Sequence, residues 1–441
     1  MLFTNNVIYG EKSGYIVQCD NNEKDFFTNY IKQIEESFVP QFNYENILHN
    51  LNRSMPSSGG INLSDACQLR CNYCSFSSDE GKKNTLKIDE AKAYVDFLFR
   101  NANIKDLTCG IKPFVRISFA GGGEPTFKWD ILKEITQYAK HKSLDKHIKV
   151  QLSITTNGIL DEEKIAYLSK TFDSIMVSYD GIASVQNENR LGTKRIFTNE
   201  IVEHTIEALL NQEANVIIRT TVWPHQYQML RYMRDNIFNN YNKIKSWEIN
   251  PVNYVGRAKN NIKTDNPTLN FYKYYYDLKQ TSPYEISKRI SSAWFSRYSF
   301  FYVCGTAFGS YPWLNSDGRI ISCLDARDCG ESLGKISEGK IYFNEYSDNM
   351  SVKHIRSLEK RCYDCIAFIH CGGGCPLKNK EARCLSDEEV YYSDIECENK
   401  KQYWKMVIEN SMNGLVLNDM DLKVVDCIND KNIFKLFAKG E

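Results

Sequence analysis

The sequence of 441 residues has no excess of either charge: 55 Lys+Arg stand against 55 Asp+Glu, for a formal net charge of zero. Such a balance creates no overall field to draw in nucleic acid or anionic lipid, so neither is expected as a partner. Also missing is any apolar run long enough to span a bilayer. The N-terminal stretch MLFTNNVIYGEKSGYIVQCD lacks the basic-then-apolar order of a secretory signal. These two absences lead to the expectation of a cytoplasmic protein with no membrane partner. No internal repeat or low-complexity tract is visible, so nothing indicates a repeat architecture.

Cysteine is what the chain has in quantity. Its fifteen cysteines are odd in number and sit in a long chain without an export pattern, which argues against a disulfide framework. In a reducing compartment, clustered cysteines more often hold metal or act in catalysis. Three lie at 67–74 and nine at 304–397, while Cys19, Cys109 and Cys427 stand alone and read as ordinary small residues.

Between 61 and 260, short apolar runs alternate with amphipathic stretches. Strands are expected at Ile61–Ser64, Phe114–Phe119, Ile148–Thr155, Ser174–Ser178, Val216–Val222 and Trp247–Val252. Helical stripes fall between them: Ala91, Tyr94, Val95 and Leu98; Ile131, Leu132, Ile135 and Tyr138; Val202, Ile206, Leu209 and Leu210. Six such alternations imply right-handed parallel crossovers and an α/β sheet. Periodicity does not separate a curved partial barrel from an open doubly wound sheet. Residues 1–60 form an N-terminal extension with two β-prone runs (Asn6–Tyr9 and Gly14–Gln18) and a helix around Phe26–Phe38. It is either a reduced peptide-recognition module that captures a leader as an added strand, or an extension lying on the barrel. Residues 261–300 read as a linker or helical connection, 301–400 as a cysteine-rich domain with little regular pattern, and 401–441 as a C-terminal extension. The segment after 300 has too little apolar matter for a core of its own, which couples its folding to metal.

Cys67, Cys71 and Cys74 read Cys-x3-Cys-x2-Cys within Asp65-Ala-Cys-Gln-Leu-Arg-Cys-Asn-Tyr-Cys-Ser-Phe76. Three thiolates on one loop can hold three irons of a [4Fe–4S] cluster and leave the fourth open to a ligand. A zinc site would call for a fourth Cys or His nearby, and this segment has none. The spacing resembles the signature of the radical S-adenosylmethionine (SAM) superfamily. That resemblance implies that the open iron binds SAM, whose reductive cleavage yields a 5′-deoxyadenosyl radical able to abstract a substrate hydrogen. It continues through Phe119-Ala-Gly-Gly-Gly-Glu-Pro-Thr126, similar to the family's Gly-Gly-Glu segment, where glycines admit the ligand and a carboxylate pairs with its ammonium. Ser153-Ile-Thr-Thr-Asn-Gly158 and Val177-Ser-Tyr-Asp-Gly181 followed by Arg190 extend it. By this resemblance Gly122, Gly123, Glu124, Ser178 and Arg190 contact SAM, and Tyr73 is the aromatic beside the adenine. The plain alternatives are a strand cap for Ser178 and a surface ion pair for Arg190. The implied fold is a partial (β/α)6 barrel with its site at the strands' C-terminal ends.

The C-terminal cysteines run Cys304-x13-Gly318-x4-Cys323, then Cys362-x2-Cys365-x5-Cys371-x3-Cys375, then Cys397. This resembles the SPASM extension of radical SAM enzymes, which implies two auxiliary clusters and three [4Fe–4S] clusters in all. Cys362, Cys365, Cys371 and Cys397 would hold the distal cluster, and Cys304, Cys323 and Cys375 the proximal one; two zinc sites are the alternative. Where sulfatase-maturing relatives place a further proximal cysteine, this chain has Tyr298. Closure therefore falls to Cys329 or Cys384, or the iron stays open to a substrate thiolate, which would suit a thioether-forming reaction.

SPASM enzymes act mostly on peptides and proteins, so the resemblance implies a peptide maturase acting on a precursor peptide or protein. The product would be an oxidative cross-link such as a thioether or a C–C or C–O bond, with flavodoxin or ferredoxin as electron donor. Sulfatase-type maturation is the first alternative. That group places Asp after the cysteine matching Cys323 and Gln before its Gly-Gly-Glu, where this chain has Leu324 and Gly121. A non-catalytic iron–sulfur electron carrier is the second alternative, and it would need none of the SAM-contact residues.

Overall fold

The computed structural model describes residues 56–81, 84–109, 112–192, 196–253, 256–261, 311–324 and 332–344. It also describes short pieces at 2–4, 7–9, 16–18, 286–287, 397–399 and 401–402 and scattered positions within 25–33 and 271–278. Cys304, Cys329, Cys362, Cys365, Cys371, Cys375, Cys384 and Tyr298 lie outside these residues.

The main sheet begins at β4 (Ser58–Ile61) and proceeds through α1 (Ile88–Cys109), β5 (Phe114–Phe119), α2 (Trp129–Lys146) and β6 (Lys149–Thr156). It continues with α3 (Glu162–Thr171), β7 (Ser174–Ser178), α4 (Ala183–Asn189), α5 (Asn199–Asn211), β8 (Val216–Val222), α6 (Leu230–Asn240), β9 (Ser246–Pro251) and β10 (Ile286–Ser287). Strands β4 to β10 lie side by side in chain order, every pair parallel. A doubly wound sheet reverses its strand order at a switch point. This one never reverses, so successive right-handed crossovers carry the helices to one face, as in a (β/α) barrel.

The alternation that forms the strands is visible in β8, where Val216, Ile218, Thr220 and Val222 are buried and Ile217, Arg219 and Thr221 only half-buried. The buried set meets the helices. Helix α5 presents Val202, Ile206, Leu209 and Leu210 to that layer, all buried. Each such side chain contributes on the order of 1.5–3 kcal/mol. Helix α3 starts at Asp161, whose carboxylate accepts the Lys164 N–H at 2.9 Å.

Three strands coincide with expectation, and the first is displaced. It was expected at Ile61–Ser64 but is Ser58–Ile61, because its glycines carry no β signal. They are there for space. A Cβ on Gly60 would overlap the Trp313 ring, and one on Gly59 would meet the Tyr94 hydroxyl. Tyr94 in turn donates to the Pro312 carbonyl at 2.6 Å.

Trp313 belongs to a feature that the sequence did not reveal. Within the stretch expected to have little regular pattern, β11 (Trp313–Leu314), β12 (Arg319–Ile321), β13 (Gly334–Ser337) and β14 (Lys340–Phe343) form a meander that continues the barrel sheet. Strand β11 pairs with β4 in parallel, and the rest are antiparallel. Leu314, Ile320 and Ile336 join the barrel's core, which explains how so short a segment holds regular strands.

At the N-terminus β2 (Val7–Tyr9) and β3 (Ile16–Gln18) match the two expected runs, and β1 (Leu2–Thr4) adds a third, all antiparallel. Helical positions at 28–29 and 32–33 fall within the helix expected at 26–38, the rest of which lies outside the described residues. Among the described residues, no helix is long and apolar enough to cross a membrane.

Candidate functional site

Consecutive parallel strands place their C-terminal ends on one rim, and the segments leaving β4 to β9 meet there. The loop after β4 carries Cys67, Cys71 and Cys74, all free thiols and all partly exposed. Backbone bonds pin this loop to the far side of the site: Arg70 N–H donates to Leu191 O at 2.8 Å and Asn72 N–H to Asn189 O at 2.9 Å. On the near side it meets the turn after β5, where Gly123 N–H donates to Ser64 O (2.7 Å) and Glu124 N–H to Ala66 O (2.9 Å). A Cβ on Gly123 would overlap the Ala66 carbonyl, which is why this position has no side chain. The Ser78 hydroxyl donates to the Gly122 carbonyl, closing the contact.

Glu124 is buried and heavily engaged. Its Oε1 accepts from Thr126 N (3.2 Å), Thr126 Oγ1 (2.8 Å) and Thr156 Oγ1 (2.9 Å), and its Oε2 from Asn157 N at 2.7 Å. Burial raises its carboxyl above the ordinary value, while the Asn157 and Thr126 donors oppose that rise. The carboxylate thus ties the ends of β5 and β6 together, and Oε2 keeps lone-pair capacity for one more donor. Asn157 itself, after β6, turns its side-chain Nδ2 to Cys67 Sγ at 3.6 Å.

Tyr73, Asp180 and Arg190 form the other wall. Asp180 has no exposure, and it accepts from Tyr73 Oη at 2.6 Å, Asn189 Nδ2 at 3.1 Å and Thr221 N at 3.1 Å. Arg190, 7% exposed, sits with Nε 3.1 Å from Asp180 Oδ1 and its guanidinium 5.1 Å from the Tyr73 ring centroid. The Nε contact is an ion pair without an aligned hydrogen bond. Burial opposes the arginine's charge, but Asp180, Tyr73 and Cys71 together outweigh it and raise the pKa further. The expectation of a possible surface ion pair is therefore replaced by a buried one. Ser178 lies buried at the end of β7, two residues before Asp180.

Beneath the loop, Trp223, Val252 and Ala258 join Tyr73 in a small apolar cluster against which Cys71 lies. Arg257 donates to the carbonyls of Cys71 (Nη1, 2.7 Å) and Ser78 (Nη2, 2.7 Å), and its N–H to Cys74 O (2.9 Å). Burial pushes the Cys71 thiol up to about 11; Arg190 and Arg257 pull it down, while Cys74 and Asp180 push the same way as burial. Cys67 is raised further, first by burial and then by Glu124 and its sister thiols. Buried thiols of this kind ionise when a cation takes the proton's place.

Among the described residues, no three His, Cys, Asp or Glu side chains converge as the ligands of one ion. A zinc ion needs four donors at about 2.0–2.3 Å from one point. A [4Fe–4S] cluster puts each thiolate on a different iron, so three spaced thiols on one loop fit it and not zinc.

The turn after β12 also reaches this rim. Leu324, directly after the half-buried Cys323, lies on Gly121, where a Cβ would overlap its side chain. The turn between β11 and β12 is joined to the cysteine loop through buried polar groups. Asn62 Nδ2 donates to Asn315 Oδ1 at 2.9 Å and to Asp65 Oδ1 at 3.1 Å, and Ser316 Oγ donates to Asp65 Oδ1 at 3.0 Å. Cys397 is exposed in a short helical piece. The described residues thus bring together Cys67, Cys71, Cys74, Tyr73, Gly122, Gly123, Glu124 and Arg190. Asn157 and Asp180 were overlooked although they stand inside segments singled out by sequence. Asn189 was missed although it precedes Arg190, and Arg257 carried no signal at all.

Residues 61–231 match the family model of the radical SAM superfamily. The chain is 24% identical over 375 residues to a cysteine-type anaerobic sulfatase-maturating enzyme of Clostridium perfringens (strain 13 / Type A), covering 79% of this chain and 95% of that protein. It is 24% identical over 199 residues to the antilisterial bacteriocin subtilosin biosynthesis protein AlbA of Bacillus subtilis (strain 168), covering 43% and 40%. Among solved structures, native anSMEcpe with bound AdoMet and Cp18Cys peptide superposes with a TM-score of 0.61 at 20% identity, over 81% of this chain and 99% of that one. Streptococcus suis SuiB bound to precursor peptide SuiA gives a TM-score of 0.54 at 17% identity, over 87% and 95%. At these identities the structural likeness speaks to the fold.

Proposed function

We propose that this protein, whose residues 61–231 form a radical SAM domain, is a radical SAM enzyme that modifies a precursor peptide or protein. The observation that carries the reading is the meeting of the cysteine loop, the Gly-Gly-Glu turn and the Tyr73–Asp180–Arg190 cluster on one rim. Cys67, Cys71 and Cys74 hold the SAM cluster. Bound SAM supplies, on one-electron reduction, a 5′-deoxyadenosyl radical that takes a hydrogen atom from the substrate. The chain's own part is to bind and orient. Arg190, fixed by Asp180, directs its terminal guanidinium nitrogens to the ligand carboxylate. The free lone-pair capacity of Glu124 Oε2 meets the ammonium, Tyr73 and Ser178 flank the adenosine, and Gly122 and Gly123 admit the ligand to the backbone.

Cys304, Cys323 and Cys375, with Cys329 as the closing ligand, hold a proximal auxiliary cluster; Cys362, Cys365, Cys371 and Cys397 hold a distal one. Contact of Leu324 with Gly121 supports the proximal assignment, because it keeps Cys323 beside the SAM rim. The barrel proper occupies 61–260, the auxiliary-cluster domain 301–400, and a flavodoxin or ferredoxin supplies electrons. A peptide substrate is supported by the two solved relatives described with bound peptides. The match to sulfatase-maturating enzymes over most of both chains favours a second reading, oxidation of a Cys or Ser side chain. Leu324 and Gly121 weigh against it, since neither can accept a proton from such a residue.

The test is reductant-dependent release of 5′-deoxyadenosine from SAM. Replacing Cys67, Cys71 and Cys74 together with Ala abolishes it and removes one cluster's iron. Retained release in that variant refutes the assignment. Mass change in a Cys-containing precursor peptide, against a sulfatase-derived peptide, separates the two substrate readings.

A further inference from the structure

Two N–H donors point at one of the three loop thiols. Cys67 Sγ accepts from Leu69 N at 3.4 Å, a bond within its own loop, and from Asn157 Nδ2 at 3.6 Å, a bond across the sheet from the end of β6. We propose that Asn157 is a positioning residue for the Cys67 thiolate, and that its side-chain N–H raises the reduction potential of the cluster that Cys67 ligates. The inference rests on the functional reading above.

The orientation of the Asn157 amide follows from its neighbours. Ile159 N–H donates to Asn157 Oδ1 at 3.0 Å, so the oxygen is committed to its own backbone and the NH2 faces sulfur. The residue is 7% exposed, and its backbone N–H donates to Glu124 Oε2 at 2.7 Å. Asn157 thus stands between two groups of negative charge, the Glu124 carboxylate and the Cys67 sulfur, and donates to both.

In a low-dielectric site a donor beside an anion is worth more than in water. Reduction adds an electron to the cluster and charge to its sulfurs, so an N–H aimed at a ligand sulfur stabilises the reduced form over the oxidised one. Groups that contact a metal ligand rather than the metal act in this way on potential and ligand orientation. The Gly158 that follows has φ +79°, a conformation that favours glycine and lets the chain turn back so that Ile159 N–H reaches Oδ1.

The experiment is an EPR-monitored redox titration of the full-length, cluster-reconstituted protein, following the signal that shifts when SAM is added. Asn157→Asp keeps an acceptor for Ile159 N–H but replaces the donor with a charged oxygen; Asn157→Ala removes the donor alone. Both are expected to move the SAM-responsive midpoint to more negative potential, Asn157→Asp further, with iron and sulfide per chain unchanged. An unmoved midpoint in both variants overturns the proposal, as does loss of one cluster's iron from both, which would mark Asn157 as purely structural. If the wild-type protein shows no SAM-responsive cluster, the functional reading falls first and this inference falls with it.

Discussion

Replacing Asp180 with Ala removes one carboxylate that serves four groups at once, of which Asn189 Nδ2 keeps a second acceptor in Gln226 Oε1. Arg190, almost fully buried, loses the one ion-pair partner it has among the described residues, and Tyr73 Oη, Asn189 Nδ2 and Thr221 N–H lose an acceptor. Removing one partner of a buried ion pair costs about 3–5 kcal/mol, because the remaining charge is left desolvated. Each stranded donor would add about 1–3 kcal/mol if it stayed dry. All four groups surround the same small space, so a water admitted there serves several of them and the terms do not sum. The expected loss for Asp180→Ala is therefore about 3–5 kcal/mol. Urea unfolding of the apoprotein, followed by far-UV circular dichroism, measures it without interference from cluster chemistry. The discriminating variant is Arg190→Met with Asp180→Ala. With no charge left to strand, the pair should be less destabilised than the sum of the single changes by about 1–3 kcal/mol. A loss below about 1 kcal/mol for Asp180→Ala, or strict additivity in the double variant, would refute the view that Asp180 is what holds Arg190 ready.

Gly123→Ala should displace the cysteine loop, because the new Cβ overlaps the Ala66 carbonyl; on the proposed reading, iron analysis should show loss of the cluster that this loop holds. Asn315→Ala leaves the buried Asn62 amide without one acceptor, so stability should fall by about 1–3 kcal/mol and limited proteolysis should cut sooner near 311–324. If Cys365 holds an auxiliary cluster as proposed, metal binding and folding are coupled there, and Cys365→Ala should make the region between about 300 and 400 protease-sensitive; equal resistance of variant and wild type contradicts it. Asp161→Ala should cost about 1 kcal/mol at neutral pH through the lost cap. The Asp161 pKa is lowered first by the Lys164 side chain and next by the Lys164 N–H. Its contribution is thus complete above the unfolded value of about 3.9 and is lost as pH falls through the lower folded value. Unfolding midpoints of the two proteins should converge in acid.

The barrel was legible because its signals are local. Apolar alternation marked β5, β7 and β8 at their observed bounds, and the stripe Val202, Ile206, Leu209 and Leu210 marked α5. What failed was local in a misleading way. Gly59 and Gly60 weaken β4's pattern because the strand is wedged between Tyr94 and Trp313, a tertiary reason invisible to a window of neighbours. The meander β11 to β14 was missed because its strands are short and borrow the barrel's core rather than building their own. In the site, Tyr73 and Arg190 fall within motifs, so the sequence singles them out, and the structure brings them together. The roles of the residues that hold them emerge only from three-dimensional contact: Asp180 stands inside a motif that gave it no role, and Arg257 lies in none.

Gly121 and Leu324, the two positions that the sequence reading takes as departures from the sulfatase-maturing pattern, are neighbours in space. Gly121 leaves a gap at the turn after β5, and Leu324 fills it from the turn after β12. A polar side chain at 121 would need both a different backbone, since φ is +78° there, and a different residue at 324. The two positions are therefore coupled: the residue at one limits what the other can carry. Their contact places an apolar surface at this point of the rim. It also fastens the segment bearing Cys323 to the turn that fastens the Cys67 loop. Together with the Asn62–Asp65–Ser316 bonds, it gives the barrel and the meander two independent seams. On the proposed reading, a substrate meets that surface by shape and apolar contact and draws its polar specificity from elsewhere along its length.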